Sequence, residues 1–245
     1  MLAGRDKAKG ERVKEEIIRQ TGNSQGEVMA CDLASFASIR SFAPAFQQRH
    51  QHLHVFLNNA GVWEAERKES EDGIELTFAT NHLAPFLLTN LLLDMLMRSA
   101  PARIINVSSG AHSRCKIDFA DLEGKKMYSP LKAYSQSKLA NVLFARELAS
   151  RLAGTGVTVN ALEPGLVGTH LFDNLGSLAQ WVVGLISKSP AQGAETSVYL
   201  ASSPEVAGVT GKYFANQKPK RPSRRAQDDD TASRLWRVSE QYVGL

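Results

Sequence analysis

A chain of 245 residues with 43% apolar and 22% charged residues, 18 glycines and 9 prolines has ordinary soluble, globular composition. It excludes collagen, extended disorder and a small disulfide scaffold, and the length suits one α/β or barrel-sized domain or two small ones. The net charge of +4 is a weak pointer to anionic partners, because much of the excess lies in Lys218–Arg225 directly ahead of Asp228, Asp229 and Asp230.

Helical periodicity alternates with short apolar runs along the chain, which favours a parallel sheet covered by helices. A first helix is expected from about Lys7 to Gln20, stopped at Thr21-Gly22-Asn23. A strand over Glu27–Cys31 closes on Asp32-Leu33, and Ser35 or Ser38 caps a helix running through Phe46. Leu53–Leu57 is the next strand and runs into Asn58-Asn59-Ala60-Gly61; a long helix follows from about Asp72 to Arg98. Arg103–Val107 reads as a buried strand ending at Ser108-Ser109, and Ala133–Leu152 as a second long helix. Gly156–Leu162 supplies a strand ending at Glu163-Pro164-Gly165, and the apolar segment 166–189 reads as a mobile flap or a helix pair. A helix over Ala191–Leu200, a strand over Gly211–Ala215 and a helix near Thr231–Val243 complete the chain. The domain is expected over 1–217, with 218–245 a basic and acidic tail, solvated or touching a membrane headgroup or a partner.

Cys31 and Cys115 lie far apart without metal-ligand spacing, so neither a disulfide framework nor a metal site is expected, and a reducing compartment fits best. The first residues have neither signal-peptide nor transit-peptide character, and the apolar run Leu83–Met97 is broken by Thr89, Asn90 and Asp94. No membrane-spanning segment and no nucleic-acid partner are expected. The chain is placed inside the cell, in the cytosol or on the face of an internal membrane, with membrane contact left open.

Each expected strand ends on something small or polar, and in open parallel sheets that edge binds ligands. Tyr134 and Lys138 stand one helical turn apart on one face, where a cation lowers the pKa of a phenol toward a useful range. Ser109 can hold a substrate oxygen, although either it or Ser108 can simply end the strand. Asn81 precedes Pro85 by four residues, so its carbonyl lacks the helical N–H it would accept. That carbonyl either holds an ordered water for a proton relay or marks a plain proline kink.

Asn58-Asn-Ala-Gly61, Asn81, Asn106-Val-Ser-Ser109, Tyr134-x-x-x-Lys138 and Pro164-Gly-Leu-Val-Gly-Thr169 together resemble the short-chain dehydrogenases/reductases. The stretch between Ser109 and Tyr134, with Asn141–Leu148 and Gly211–Phe214, resembles the retinol dehydrogenase branch. The resemblance implies a Rossmann-type, doubly wound parallel sheet in three αβα layers. It also implies an oxidoreductase interconverting a hydrophobic alcohol and its aldehyde or ketone, of retinol and retinal type. Tyr134 would be the general acid/base, Lys138 would hold the nicotinamide ribose, Ser109 would orient the substrate and Asn81 would hold the relay water. Asp32 and Leu33 would meet the adenine, Asn59, Ala60 and Gly61 the adenosine half, and Pro164, Val167 and Thr169 the carboxamide. Arg5 matches the reader of a 2′-phosphate, which favours NADP(H) over NAD(H), or is a basic residue at a helix start.

The family's opening strand, its Thr-Gly-x-x-x-Gly-x-Gly turn and helix, and a second strand ending near Arg5 are not found in the sequence. A fold lacking the first strand and helix is therefore expected, with two unpaired sheet edges, weak NADPH binding and a tendency to aggregate. A homodimer through the two long helices is the partner expectation, and a non-catalytic chain dimerising with a full-length relative is the alternative function.

Overall fold

The computed structural model describes residues 1–165 and 189–245. The strands are β1 (Leu2–Gly4), β2 (Val28–Ala30), β3 (Val55–Asn58), β4 (Ala102–Val107), β5 (Val157–Glu163), β6 (Tyr213–Ala215) and β7 (Lys218–Pro219). The principal helices are α1 (Lys7–Thr21), α2 (Phe36–Arg49), α3 (Leu76–Phe78), α4 (Ala84–Arg98), α5 (Pro130–Arg151), α6 (Pro190–Ser202) and α7 (Asp229–Val243).

Local chemistry sets the element ends. The Asp6 carboxylate accepts from the Lys9 amide to start α1, and Gly22 ends it in the left-handed conformation at φ 72°. Ser35, not Ser38, caps α2, while the Ser38 hydroxyl accepts from the Asp32 amide. The long helix starts at Leu76 rather than Asp72, because the Glu75 carboxylate accepts from the Thr77 and Phe78 amides. Pro85 is accommodated by a π turn over Ala79–Leu83, in which the Ala84 amide reaches back to the Ala79 carbonyl.

The sheet pattern is parallel, with helices on its faces, and only β7 runs antiparallel. It falls into two pieces, a β1–β2 pair and a five-stranded sheet in the order β3-β4-β5-β6-β7. β1 corrects the expectation that no strand ends near Arg5, since Leu2–Gly4 pairs with Val28–Ala30. β3 forms one edge of the larger sheet, where Val55 and Leu57 are each 40% exposed.

Alternation along the strands feeds two cores. Ala102, Ile104, Val157, Val159, Ala161 and Tyr213 join the large core with α2, α4, α5 and α7. Their neighbours Ile105, Val107, Leu162 and Phe214 point the other way, onto Leu200 of α6 and Val206. Leu76–Arg98 is long and apolar enough to cross a membrane, but 78% of its most apolar window is buried inside the protein, as in a core helix.

The basic stretch of the tail is largely exposed, as expected, but it is anchored, and the helix after it is packed. β7 pairs with β6, Lys220 meets Glu163 at 2.5 Å, and Arg146 meets Asp229 at 2.5 Å. On α7, Trp236 stacks edge-on against Phe86 at 4.9 Å and lies 5.9 Å from Phe144. The Ser239 hydroxyl sits 2.8 Å from Nε2 of the buried His82. The C-terminal helix thus rests on the two long helices through which a dimer was expected to form.

Candidate active site

Ser129 caps α5 and Pro130 occupies its first turn, so Tyr134 and Lys138 emerge one turn apart beside the end of β4. The Lys138 ammonium is buried, lies 5.5 Å from the Tyr134 ring centroid and donates to the Val107 carbonyl at 3.3 Å. Burial pushes its pKa down to about 8. Burial holds the Tyr134 phenol above its ordinary range, and Ser109 facing it draws the other way. The net direction is thus opposite to the lowering expected from the neighbouring cation, because burial dominates.

The structure separates the two serines that the sequence left open. The Ser108 hydroxyl donates to the Lys138 carbonyl at 2.7 Å and ties β4 to α5. Ser109 ends the strand, and its hydroxyl accepts from the Ala111 amide at 3.2 Å while facing Tyr134.

Asn81 is fully buried in the π turn and acts through its side chain. Its Oδ1 accepts from the Val62 amide at 2.7 Å, and its Nδ2 donates to the Val62 carbonyl at 2.9 Å and to the Ser137 hydroxyl at 3.0 Å. This staples the loop after β3 to α5. Gly61 completes the junction, because a Cβ there would lie 3.1 Å from Lys138 Nζ and 3.3 Å from Asn81 Oδ1. Asn81, Ser109, Tyr134 and Lys138 thus meet in one cluster around the ends of β3 and β4.

The other expected residues that the structure describes follow the ends of β1, β2, β3 and β5, outside that cluster. Arg5 is exposed after β1; Asp32 follows β2 and accepts from the Ala34 amide at 2.9 Å; Leu33 is half-buried against the core. Asn59 and Ala60 are exposed on the loop after β3, and Pro164 follows β5. Val167, Thr169 and almost all of the apolar flap lie outside the described residues. Among the described residues no cluster of His, Cys, Asp or Glu could hold a metal ion.

Several supporting residues were not singled out from the sequence. Ser137 receives Asn81, Asn141 donates to the Val107 carbonyl at 3.3 Å beside Lys138, and Gln136 pins both Asp118 and Leu122 of the irregular segment. Their polar character on a buried helix face was the available signal.

A family model described as short chain dehydrogenase matches residues 1–178. Retinol dehydrogenase 14 of Homo sapiens is 43% identical over 264 residues, covering 100% of this chain and 79% of that protein. Retinol dehydrogenase 12 of Mus musculus is 46% identical over 246 residues, covering 100% and 78%. An uncharacterised protein from Mycobacterium paratuberculosis superimposes with a TM-score of 0.77 at 34% identity, covering 99% of this chain and 82% of that one. The RhlG/NADP complex of Pseudomonas aeruginosa does so at 0.67 and 25%, covering 86% and 82%. The convergence of Ser109, Tyr134 and Lys138 at the strand ends and these matches agree: the chain belongs to the short-chain dehydrogenase family, as a retinol dehydrogenase-like oxidoreductase acting on CH–OH donors.

Proposed function

We propose that the chain interconverts a hydrophobic alcohol and its aldehyde or ketone, retinol and retinal being the type pair, with NADP(H) and with Tyr134 as general acid/base. The observation that carries this reading is the buried Lys138 ammonium 5.5 Å from the Tyr134 ring centroid, with Ser109 facing the phenol. In reduction the Tyr134 hydroxyl gives its proton to the substrate oxygen, and in oxidation it takes one, with Ser109 donating to the same oxygen. The main-chain carbonyl of Asn81 holds the water that restores the Tyr134 proton.

The residues present fit the nicotinamide half of the cofactor. The Lys138 ammonium has three donors and, among the described residues, donates only to the Val107 carbonyl, which leaves it able to serve the hydroxyls of a ribose. The missing Cβ at Gly61 keeps the backbone approachable beside it. When bound, the cofactor supplies or accepts the hydride. Asp32 and Leu33 take the adenine end, Asn59, Ala60 and Gly61 the adenosine half, and Pro164, Val167 and Thr169 the carboxamide. Arg5, exposed and without an ion pair among the described residues, answers a 2′-phosphate and favours NADP(H). No glycine-rich phosphate turn of the Thr-Gly-x-x-x-Gly-x-Gly type occurs in the sequence, so binding through this chain's own residues is weak.

The test is NADPH-dependent reduction of retinaldehyde, run on the 245-residue chain and on one with a glycine-turn βα unit joined ahead of Leu2. Tyr134→Phe should lower the rate by about a hundredfold or more. No turnover in either chain, or an unchanged rate in Tyr134→Phe, overturns the reading.

A further inference from the structure

Behind Ser109 lies a polar network that the reaction described above does not use. His112 is 4% exposed and sits in the short 3-10 helix Gly110–Arg114 that follows the catalytic serine. Its Nδ1 is 2.8 Å from the Ser109 carbonyl and 3.3 Å from the Tyr213 hydroxyl, and its Nε2 is 3.1 Å from the Ser223 amide nitrogen.

These partners dictate the tautomer. A backbone amide only donates, so Nε2 must be the unprotonated acceptor; a carbonyl only accepts, so Nδ1 must carry the hydrogen. The opposite tautomer would set two N–H groups against each other at Ser223 and two lone pairs against each other at Ser109. Polarity continues outward without conflict. The Tyr213 hydroxyl feels the Glu163 carboxylate, which Lys220 holds at 2.5 Å. Glu163 directly precedes Pro164 and leans on the backbone next to Ser109: a Cβ on Gly110 would lie 2.8 Å from its Oε2.

We propose that His112, as its neutral Nδ1–H tautomer, is a positioning residue that fixes the main chain of Ser109 and couples it to the C-terminal strap Lys220–Ser223. Burial favours the neutral ring, the Ser109 carbonyl and Glu163 oppose this, and Lys220 reinforces it. Tyr213 is the remaining titratable group facing the ring, and burial and Glu163 hold its phenol protonated.

The inference rests on the proposed reading only for its kinetic arm. Long-range ¹H–¹⁵N correlation NMR of the full chain should show protonated Nδ1 and unprotonated Nε2 for His112 at pH 7, whether or not substrate turns over. An Nε2–H tautomer or an imidazolium at pH 7 overturns the proposal. In the retinaldehyde assay His112→Ala should lower kcat about tenfold with little change in the KM for NADPH, and His112→Asn, which restores a donor to Ser109, should recover most of that loss. A His112→Ala enzyme with wild-type kcat overturns it too. The expected tautomer in a chain without turnover would count against the retinaldehyde reading and support the positioning role of His112.

Discussion

Asn81→Ala isolates the side chain that joins the loop after β3 to the helix carrying Tyr134. Three hydrogen bonds are lost, two to the main chain of Val62 and one to the Ser137 hydroxyl. Val62 is only half-buried, so water can take over part of its two bonds, and each contributes about 0.5–1 kcal/mol. Ser137 is fully buried, and its bond contributes about 1 kcal/mol. The small cavity left around a truncated side chain raises the total to about 3 kcal/mol. For a domain of this size that lowers Tm by roughly 6–12 °C, measurable by calorimetry or a circular-dichroism melt. Ser137→Ala should cost about 1 kcal/mol less in the Asn81→Ala background than in the native one, because the two share one bond, whereas the bond from the Ser137 hydroxyl to the Tyr134 carbonyl at 2.8 Å is lost in both. A Tm within about 1 °C of wild type for Asn81→Ala would refute the stapling role.

Lys138→Met should stabilise the fold at neutral pH while removing the proposed ribose contact. The folded lysine has its pKa lowered from 10.5 to about 8, so between those values the unfolded chain binds more protons and wild-type stability rises with pH. Below pH 8 the buried ammonium is a standing cost of about 3 kcal/mol. Denaturant midpoints of the two proteins should therefore converge from pH 8 to 10.5; a methionine variant less stable than wild type at pH 7 refutes this. Trp236→Ala should cost about 3–5 kcal/mol, since the ring is 5% exposed, packs on Phe86 and Phe144 and carries the Arg151 guanidinium 4.1 Å from its centre. Hydrogen exchange should show the amides of α7 opening first, and a uniform loss of protection would count against a locally seated helix.

The helices and strands were legible wherever period and cap agreed, as in α1 between Asp6 and Gly22 and in the alternation of Ile104 and Ile105. The cluster of Tyr134, Lys138, Ser109 and Asn81 was legible as motif and spacing. Its electrostatics were not, because whether a neighbouring cation or burial governs a phenol depends on packing that spacing does not encode. Asp72 looked like a helix start, but its carboxylate accepts from the Phe36 amide at 2.9 Å, a link across 36 residues that no local pattern reveals. The basic tail looked solvated by composition and is largely exposed, yet Glu163 holds Lys220 and Arg146 of α5 holds Asp229, both from distant sequence. His112 carried no signal at all: a histidine in a polar turn acquires meaning only once Ser223 is folded against it.

The seat of α7 has a consequence for self-association. Phe86, Phe144 and His82 form a socket that Trp236 and Ser239 fill, and every copy of the chain carries both the socket and the plug. A second copy can reach this socket only by displacing the resident helix, whereas trading helices between two copies would preserve each of these contacts while linking the chains. The hinge of such an exchange would be the strap Lys220–Ser223, whose Ser223 amide holds the ring behind Ser109. Pairing of two chains by that route would pull on Ser109 in both.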